Sequence, residues 1–330
     1  MLSLHARIEL LCRLGEYMLS DDEQWQEAKA KAKAANAWFT PEHIALAIKS
    51  IGAQFLKREV LEQWIAQYKL PTQAKVVGIV TAGNIPLVGF HDFMCGFISG
   101  HDVLMKLSSK DEVLLKHLIT KLKEWEPEVN KHVQVSDILK GCDAYITTGS
   151  NNTARYFEQY FGKFPHIIRK NRTSVAILTG DETDEELGLL ADDVFLYFGL
   201  GCRNVTQIHV PEGYSFNRMF EVFEKYAHYA DHNKYKNNLD YHLALYLLNR
   251  VPYLSNDSVI LVEDALPFSA VSVLHYQYYS DRSKLREDLL QSTDIQCIVS
   301  KEDVPFGSAQ KPSISDYADG VDTTEFLCSL

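Results

Sequence analysis

The sequence predicts an α/β protein with parallel sheets, in which helices connect neighbouring strands. Across residues 71–300, short apolar runs alternate with helical patterns, and glycine-containing turns join them. This alternation is typical of parallel sheets, because each parallel connection must return along a face of the sheet before the next strand begins. The 330 residues are enough for one large domain or two medium ones.

The first 70 residues are predicted to be helical. Ile8, Leu11 and Leu14 recur at helical spacing. Thr40 followed by Pro41 is a typical helix start, since threonine caps the first turn and proline is tolerated there.

The next part of the chain predicts three strand–turn–helix units. The first run, Val76–Val80, is apolar throughout, as expected of a strand that is buried on both faces. The predicted strands lie at residues 76–80, 103–107 and 144–147, and the predicted helices at about 86–98, 111–125 and 152–161.

The second half of the chain repeats the alternation around a tight turn at residues 199–204. The predicted strands lie at residues 174–178, 205–210, 258–262, 270–276 and 295–300, and the predicted helices at about 184–198, 215–229 and 238–249.

Charge and composition exclude several classes of protein. Asp and Glu number 44 against 33 Lys and Arg, giving a formal charge of −11 that opposes binding to a phosphate backbone, so we exclude a nucleic-acid-binding protein. The apolar stretches are far shorter than the ~20 residues that a membrane helix needs, so no membrane span is expected. The charged N-terminus does not resemble a signal peptide, and the six cysteines are too far apart to suggest disulfides or zinc. We therefore expect a cytoplasmic protein.

Cys202 is the first candidate for chemistry. It lies between Gly201 and Arg203 in a predicted loop, where small neighbours let a substrate approach and the arginine favours the thiolate. The alternative is a cysteine buried in a turn, which is the commoner environment of cysteine. The local sequence favours this alternative but leaves catalysis open.

Asn84 is the second candidate. It follows the first parallel strand, at the end where such sheets bind ligands, and its amide could donate a hydrogen bond to a developing oxyanion. The alternative is a helix N-cap, with Pro86 in the first helical turn. On local sequence alone, the N-cap is the favoured interpretation.

Two further turns suit a nucleotide. Lys106 ends an apolar strand and Ser108 follows, a combination that fits ribose hydroxyls or a phosphate, although the lysine could equally extend into solvent. Gly149 and Ser150 precede a helix whose N-terminus could bind a pyrophosphate, but with a single glycine of the usual pattern an N-cap is favoured. The spacing of the twelve histidines predicts no metal site.

Together these segments resemble the aldehyde dehydrogenase superfamily, and more closely its acyl-CoA reductase branch, the luminescence-type (LuxC-type) fatty acid reductases. The resemblance depends on the order and spacing of motifs from about residue 71 onward. Its segments are 81–86 for the oxyanion-hole asparagine, 102–109 for the adenosine ribose, 145–150 for the pyrophosphate, 201–205 for the nucleophile and 305–307 for a late Pro-Phe-Gly motif.

The resemblance implies an aldehyde dehydrogenase-like fold, with a Rossmann-type parallel-sheet cofactor domain and a smaller α/β catalytic domain. It implies that residues 1–165 hold the N-terminal helices and the dinucleotide-binding domain, and that residues 166–300 hold the catalytic domain. Residues 301–330, rich in Ser, Asp and Gly, are expected to return as a tail across the surface.

The resemblance also implies the reaction and its site. Cys202 would be the nucleophile and Asn84 the oxyanion donor in the reduction of an acyl-CoA, or another acyl thioester, to an aldehyde. The cofactor would be NADPH or NADH, and the residues implied to bind it are Thr81, Ala82, Gly83, Lys106, Ser108, Gly149 and Ser150.

Two positions depart from the superfamily pattern. Ile168 aligns where hydrolytic members carry a general-base glutamate, and no glutamate that would hold the nicotinamide ribose is found near residues 266–268. The missing base predicts slow hydrolysis of an acyl-enzyme, unless Asp192, Asp193 or a distant histidine takes its place.

Two alternatives to acyl-CoA reduction stay open. One is oxidation of an aldehyde, and the other is a non-catalytic protein of this fold that binds acyl groups or a protein partner. The presence of Asn84 and Cys202 in the expected order argues against the second alternative. The chain is short for the superfamily, which leaves its oligomeric state open, a homo-oligomer included.

Overall fold

The structure, a computed structural model, describes residues 2–330 and forms two compact units. One unit contains the chain up to Asn171 together with Pro312–Leu330, and the other contains Arg172–Lys311. The units end at different residues from the predicted domains 1–165, 166–300 and 301–330. Within the described residues, no helix is long and apolar enough to cross a membrane.

The first unit begins with four helices, as the sequence predicts. Thr40 Oγ1 accepts a hydrogen bond from the His43 backbone N–H at 3.2 Å, and Pro41 occupies the first turn, which fixes the start of the third helix. Trp25 and Trp64 are buried in the core beneath these helices. The helices are α1 (Leu4–Met18), α2 (Glu23–Ala35), α3 (Pro41–Gln54) and α4 (Arg58–Ile65).

A five-stranded parallel sheet forms the centre of the first unit. Its strands are β1 (Val76–Val80), β2 (Asp102–Lys106), β3 (Val133–Val135), β4 (Ala144–Thr148) and β5 (His166–Arg169), in the order β3-β2-β1-β4-β5. Its helices are α5 (Phe90–Ser99), α6 (Glu112–Trp125), α7 (Val129–His132) and α8 (Asn151–Phe161). The chain runs outward from β1 in one direction and then from β4 in the other. Parallel sheets of this kind bind ligands where the direction changes, here at the carboxyl ends of β1 and β4.

The second unit contains a six-stranded sheet in which β8 alone is antiparallel. Its strands are β6 (Thr173–Ile177), β7 (Val205–Pro211), β8 (Leu254–Ser255), β9 (Ile260–Glu263), β10 (Val273–Tyr279) and β11 (Ile295–Val299), in the order β11-β6-β7-β10-β9-β8. Its helices are α9 (Asp184–Phe195), α10 (Asn217–Phe223), α11 (Asn233–Asn249) and α12 (Arg282–Leu290). The two sheets confirm the predicted α/β class with a Rossmann-type parallel sheet.

The end of the chain corrects the expectation of a surface tail. Residues 312–330 belong to the first unit, where Tyr317 and Leu327 join its hydrophobic core. Trp64 Nε1 donates to the Tyr317 hydroxyl at 2.9 Å, and the buried Arg169 donates to Thr323 Oγ1 at 2.7 Å. The polar composition concealed these contacts, because a few buried residues in the last helix, α13 (Thr323–Cys328), anchor the whole segment.

Several predicted elements start or end at other residues in the structure. The helix predicted from residue 86 begins at Phe90, because Leu87 adopts a positive φ of 59° and Gly89 takes the N-cap position. The helix predicted through residue 198 ends at Phe195, where a 3-10 turn with positive φ values follows. Short strands such as β3 and β5 were not predicted, since so few residues carry no clear periodicity.

Candidate active site

The first sheet brings the ends of three predicted site segments to one edge. In the strand register, Val80 of β1 lies opposite Lys106 of β2 on one side and Thr147 of β4 on the other. The loops that follow, at residues 81–84, 107–109 and 149–150, therefore leave the sheet at its carboxyl edge. The sequence predicted that each of these segments follows a strand, and the register shows that the three strand ends lie side by side.

Thr81 and Ser108 connect the first two of these loops. The Thr81 backbone N–H donates to the Lys106 carbonyl at 3.1 Å, and the Ser108 backbone N–H donates to Thr81 Oγ1 at 3.2 Å. A Cβ atom on Gly83 would lie 2.5 Å from Ser108 Oγ, so only glycine fits this approach without a shift. Thr81 is buried, while Ala82 is partly exposed and Asn84 is exposed beyond it.

Asn84 is not a helix N-cap, which corrects the interpretation favoured by its local sequence. The following helix, α5, begins six residues later at Phe90 and has Gly89 as its N-cap. Asn84 instead precedes an irregular turn in which Leu87 has a left-handed backbone conformation. The amide is thus presented on a loop at the carboxyl edge of β1, the position that an oxyanion donor would need.

Asp111 holds this turn and was missed at the sequence level. Its carboxylate accepts hydrogen bonds from the backbone N–H groups of Leu87 and Val88, and burial raises the pKa of Asp111 well above its ordinary value. The side chain is 5% exposed, and its Oδ1 has no hydrogen-bond partner within the described residues. A single aspartate just before a predicted helix resembles an ordinary cap, so no sequence signal distinguished it.

The structure leaves the role of Lys106 open and shows Ser150 as a helix N-cap. Lys106 is exposed at the end of β2, as either a solvated or a ligand-binding lysine would be. Ser150 is the N-cap of α8, accepting from the Thr153 backbone N–H at 3.3 Å, and the Gly149 N–H donates to the Arg169 carbonyl at 3.3 Å. The predicted N-cap is therefore confirmed, and a role for these two residues in binding pyrophosphate stays a prediction.

In the second unit, Cys202 lies on a short loop that enters β7 from its amino end. The loop follows the 3-10 turn Leu196–Gly199, in which Tyr197 and Phe198 are buried. Cys202 itself is partly exposed. Its carbonyl accepts a hydrogen bond from Ser174 Oγ at 3.1 Å, which ties the loop to the neighbouring strand β6.

Asn204 fixes the shape of the Cys202 loop from inside. It is fully buried, and its Oδ1 accepts from the Gly201 backbone N–H at 2.8 Å. Its Nδ2 lies 2.8 Å from the Leu196 carbonyl and 3.0 Å from the Asp193 carbonyl, both of which can accept from it. One amide side chain, two residues after the cysteine, thus satisfies backbone groups of the segment that precedes the cysteine and fixes the shape of the loop.

Asp193 and Arg203 bring the late Pro-Phe-Gly motif to this loop. Asp193 is buried, and its two carboxylate oxygens accept from the backbone N–H groups of Gly307 at 2.6 Å and Ala309 at 3.0 Å. Arg203 Nε donates to the Ala309 carbonyl at 2.6 Å. Arg203 thus holds the 305–309 segment, and its effect on the Cys202 thiolate stays a prediction.

A known protein family shares the part of the chain that contains both loops. A sequence model described as acyl-CoA reductase (LuxC) matches residues 12–227. This match covers well over half of the chain and includes both the Asn84 and the Cys202 loops. The chain belongs to the acyl-CoA reductase (LuxC) family. No curated protein sequence matches it.

Solved structures of aldehyde dehydrogenases share the fold. One is an aldehyde dehydrogenase of Mycobacterium tuberculosis complexed with NAD+, with a TM-score of 0.66 at 14% identity, covering 94% of this chain and 76% of that one. Another is an NAD-dependent aldehyde dehydrogenase of Sinorhizobium meliloti, with a TM-score of 0.64 at 13% identity, covering 91% and 71% respectively. The chain thus has the aldehyde dehydrogenase fold, and its family is one of oxidoreductases that act on aldehyde or acyl groups with a nicotinamide cofactor.

The structure shows what lies at the two positions that depart from the superfamily pattern. Ile168 lies within β5, opposite Thr147 of β4, and supplies no titratable group. The 266–268 loop is held by the second sheet, since Thr206 Oγ1 donates to the Pro267 carbonyl at 2.5 Å. A carboxylate near this loop was missed: Glu263 is exposed as the last residue of β9.

The two aspartates named as alternative bases, Asp192 and Asp193, already bind other groups of the second unit. Asp192 Oδ1 accepts from the Tyr226 hydroxyl at 2.6 Å and forms an ion pair with Lys225 at 2.6 Å. Asp193 holds Gly307 and Ala309 with its two oxygens, and burial raises its pKa to about 6.

One histidine pair corrects the statement about histidine spacing. His228 and His232 are four residues apart, a spacing that can bind a metal. His232 packs against the Phe198 ring, with centroids 4.5 Å apart, and His228 Nδ1 donates to the Lys225 carbonyl at 3.0 Å. Residues 2–330 contain no group of three metal-binding side chains.

Proposed function

We propose that the protein reduces a fatty acyl-CoA, or a related acyl thioester, to the aldehyde through an acyl-enzyme on Cys202. The observation that carries the proposal is the Cys202 loop, partly exposed and fixed by Asn204, in a chain of the acyl-CoA reductase family. A nucleophile must be accessible yet held in one geometry, because misplacement by about 1 Å can cost a hundredfold in rate.

The first chemical step forms one bond and breaks another. Cys202 Sγ, as the thiolate, attacks the thioester carbonyl, and the negative charge develops on the carbonyl oxygen. We assign the amide of Asn84 and the backbone N–H of Cys202 to this oxygen. When the tetrahedral intermediate collapses, the bond to CoA breaks and CoA leaves as its thiolate. The acyl group then remains on Cys202.

Residues at the edge of the first sheet fit a nicotinamide cofactor. Lys106 is exposed at the end of β2 and Ser108 follows it, so a cation and a hydroxyl lie at the carboxyl edge of the sheet, where parallel sheets bind nucleotides. The cofactor, when bound, supplies the hydride that reduces the acyl carbon. Cys202 then departs as the thiolate while the aldehyde carbonyl forms, so the enzyme returns to its starting state.

The proposal also depends on a missing group, the general base that hydrolysis of an acyl-enzyme needs. Water would release the acyl group as free acid only if a base accepted a proton, and a positioned base contributes about 10²–10⁴ in rate. Ile168 supplies no such base, and Asp192 and Asp193 are engaged elsewhere. Slow hydrolysis favours reduction over net formation of acid.

The deciding experiment measures the fate of the thioester with and without cofactor. Acyl-CoA of a series of chain lengths is supplied with NADPH or NADH, and oxidation of the cofactor and formation of aldehyde are followed together. We expect aldehyde in proportion to cofactor oxidised, and slow release of acid when the cofactor is omitted. Cys297→Ala is the matched control for Cys202→Ala, because both cysteines contact Ser174. Cys297 Sγ lies 3.1 Å from Ser174 Oγ, which donates to the Cys202 carbonyl.

The outcomes separate the proposal from its alternatives. Rapid cofactor-independent release of acid, or efficient oxidation of aldehyde to acid without CoA, would show an active base and favour aldehyde oxidation. Binding of acyl-CoA with no turnover by any cofactor would favour a non-catalytic binding protein. The series of chain lengths then identifies the preferred acyl group, which the sequence leaves open.

A further inference from the structure

Asp111 occupies the N-cap position of helix α6 but does not cap that helix. Its carboxyl group makes no hydrogen bond to the first turn of α6. An aspartate at an N-cap normally accepts from a backbone N–H two or three residues later. Asp22 of α2, in the same unit, does so, accepting from the backbone N–H groups of Gln24 at 3.0 Å and Trp25 at 3.2 Å. The side chain of Asp111 therefore serves a segment other than its own helix.

That segment is the turn that follows Asn84. The Asp111 carboxyl group accepts from the backbone N–H groups of Leu87 and Val88. Leu87 has a φ of 59°, while its side chain is buried in the hydrophobic core of the unit. A leucine adopts this left-handed conformation only where its surroundings hold it there. The core holds the Leu87 side chain, and Asp111 holds its backbone.

The residues just before Asp111 hold the chain on the other side of Asn84. The Ser108 backbone N–H donates to Thr81 Oγ1 at 3.2 Å, and Gly83 lies so close to Ser108 that a Cβ atom would be 2.5 Å from its Oγ. The Asp111 backbone N–H donates to the Ser108 carbonyl at 2.9 Å, which joins these contacts in one short turn. This turn therefore contacts the loop both before and after Asn84.

The burial of Asp111 costs free energy. The residue is 5% exposed, and its Oδ1 has no hydrogen-bond partner within the described residues. Burying a polar atom without a partner destabilises the folded state, and burial also raises the pKa of Asp111 well above its ordinary value. An apolar side chain would avoid this cost if packing alone mattered. The buried carboxyl group thus indicates that its hydrogen bonds to the turn have a function.

We propose that Asp111 is a positioning residue that holds the Asn84 loop where the oxyanion develops. The inference rests on the proposed function, because it acts through the oxyanion donor assigned there. Asn84 is exposed on its loop, so the segments on either side determine where its backbone lies. Misplacement by about 1 Å can cost a hundredfold in rate. Since the negative charge develops only in the transition state, Asp111 affects kcat and not the KM for the acyl thioester.

The first test compares two replacements of Asp111 in the reduction of acyl-CoA. Asp111→Ala removes the acceptor, so kcat should fall about 10–100-fold while the KM for acyl-CoA changes less than about twofold. Asp111→Asn keeps a carbonyl oxygen as acceptor and has the shape of the protonated carboxyl group, so it should retain kcat within about threefold. Asp22→Ala, which removes a true N-cap from the same unit, is the matched control and should leave kcat unchanged.

A double variant shows whether Asp111 acts through Asn84. Asp111→Ala should lower kcat in the otherwise unaltered protein but not in Asn84→Ala, because the amide that it positions is already absent there. Equal factors in the two backgrounds would overturn the proposal. So would an unchanged kcat in Asp111→Ala, or a loss of kcat that Asp111→Asn does not restore.

Hydrogen exchange of residues 84–90 tests the same contact without the reaction. Exchange should be roughly tenfold faster in Asp111→Ala, because the backbone N–H groups of Leu87 and Val88 lose their acceptor, while strand β1 should exchange equally in both proteins. Equal exchange of residues 84–90 would overturn the proposal. If the unaltered protein reduces no acyl-CoA, the proposed function fails, whereas faster exchange in Asp111→Ala still supports the placement of the Asn84 loop by Asp111.

Discussion

The two sheets of this acyl-CoA reductase family member present their candidate residues at opposite ends of their strands. In the first unit, the Asn84 and Lys106 loops follow strands β1 and β2, at the carboxyl edge. In the second unit, Cys202 comes before strand β7, at its amino end. The strand register brings the first set of loops to one edge, where Thr81 and Asp111 hold them, whereas the Cys202 loop is held by Asn204 and Asp193.

This difference has a physical cause. Loops at a carboxyl edge converge automatically, because parallel strands all end there. The loop that enters β7 is held by Asn204 and Asp193, through buried hydrogen bonds to the backbone. The comparison teaches that buried polar residues close to a candidate nucleophile can connect its loop to segments distant in sequence, as Asp193 does with Gly307 and Ala309.

The largest expected effect comes from removing the proposed nucleophile, Cys202 of the second unit. Cys202→Ala should lower turnover by at least about 10³-fold, as expected when a group that forms a covalent intermediate is lost. Incubation with labelled acyl-CoA should label one cysteine in the unaltered protein and none in Cys202→Ala. Cys95 and Cys142 should stay unlabelled, because burial raises the pKa of both thiols. Labelling that persists without Cys202 would contradict the assignment.

Asn84→Ala tests the proposed oxyanion donor, which belongs to the first unit. If the amide stabilises the oxyanion, kcat should fall by about 10²–10³. The free energy of unfolding should change little, because Asn84 caps no helix and is exposed. Denaturant unfolding and turnover should be measured on the same sample. Asn130→Ala is a control at another exposed asparagine, and equal losses of rate in the two variants would exclude a specific role for Asn84.

The pH dependence of the free energy of unfolding tests the role of Asp193, the buried side chain that helps to hold the Cys202 loop. Burial raises its folded-state pKa from 3.8 to about 6, so the unfolded chain releases this proton at lower pH than the folded chain. The stability contributed by this group is therefore full below about pH 4 and is lost as the pH rises to about 6, a change of about 3 kcal/mol.

Asp193→Asn should remove this slope. Denaturant unfolding between about pH 4 and pH 7 measures it as the difference between the unaltered protein and the variant. Asp192→Asn is the control, since Asp192 is paired with Lys225 and the Tyr226 hydroxyl and does not contact the 305–309 segment. Identical pH profiles for the unaltered protein and Asp193→Asn would show that the carboxyl group titrates normally.

Lys106→Ala should have the smallest effect, confined to cofactor binding. We expect the cofactor KM to rise about tenfold, or ~1.4 kcal/mol, with a smaller change in kcat, the pattern of lost ground-state binding. Lys116→Ala, at an exposed lysine on α6, is the control. An unchanged cofactor KM would mean that Lys106 extends into solvent and takes no part in the site.

The sequence predicted the features that are determined locally. The strand–turn–helix alternation located β1, β2, β4 and β7 within one or two residues, because each is an apolar run bounded by turn residues. Motif order also located the Cys202 loop between a helix and a strand.

The sequence could not predict the features that depend on contacts between residues far apart in the chain. Asp193 and Gly307 are 114 positions apart, and no periodicity links them. Asn84 looked like a cap because the sequence does not reveal that Leu87 takes a positive φ and delays the helix to Phe90. Asp111, which holds that turn, is likewise indistinguishable in sequence from a surface cap.

The return of residues 312–330 to the first unit has a consequence for how the chain is made. The core that contains Trp64 and Arg169 receives Tyr317 and Thr323 from residues that are synthesised after the whole of the second unit. The second unit is continuous in sequence and has all of its residues earlier. On the ribosome, where domains form as they emerge, the second unit can therefore mature first, and the first unit is completed only when residues 312–330 emerge.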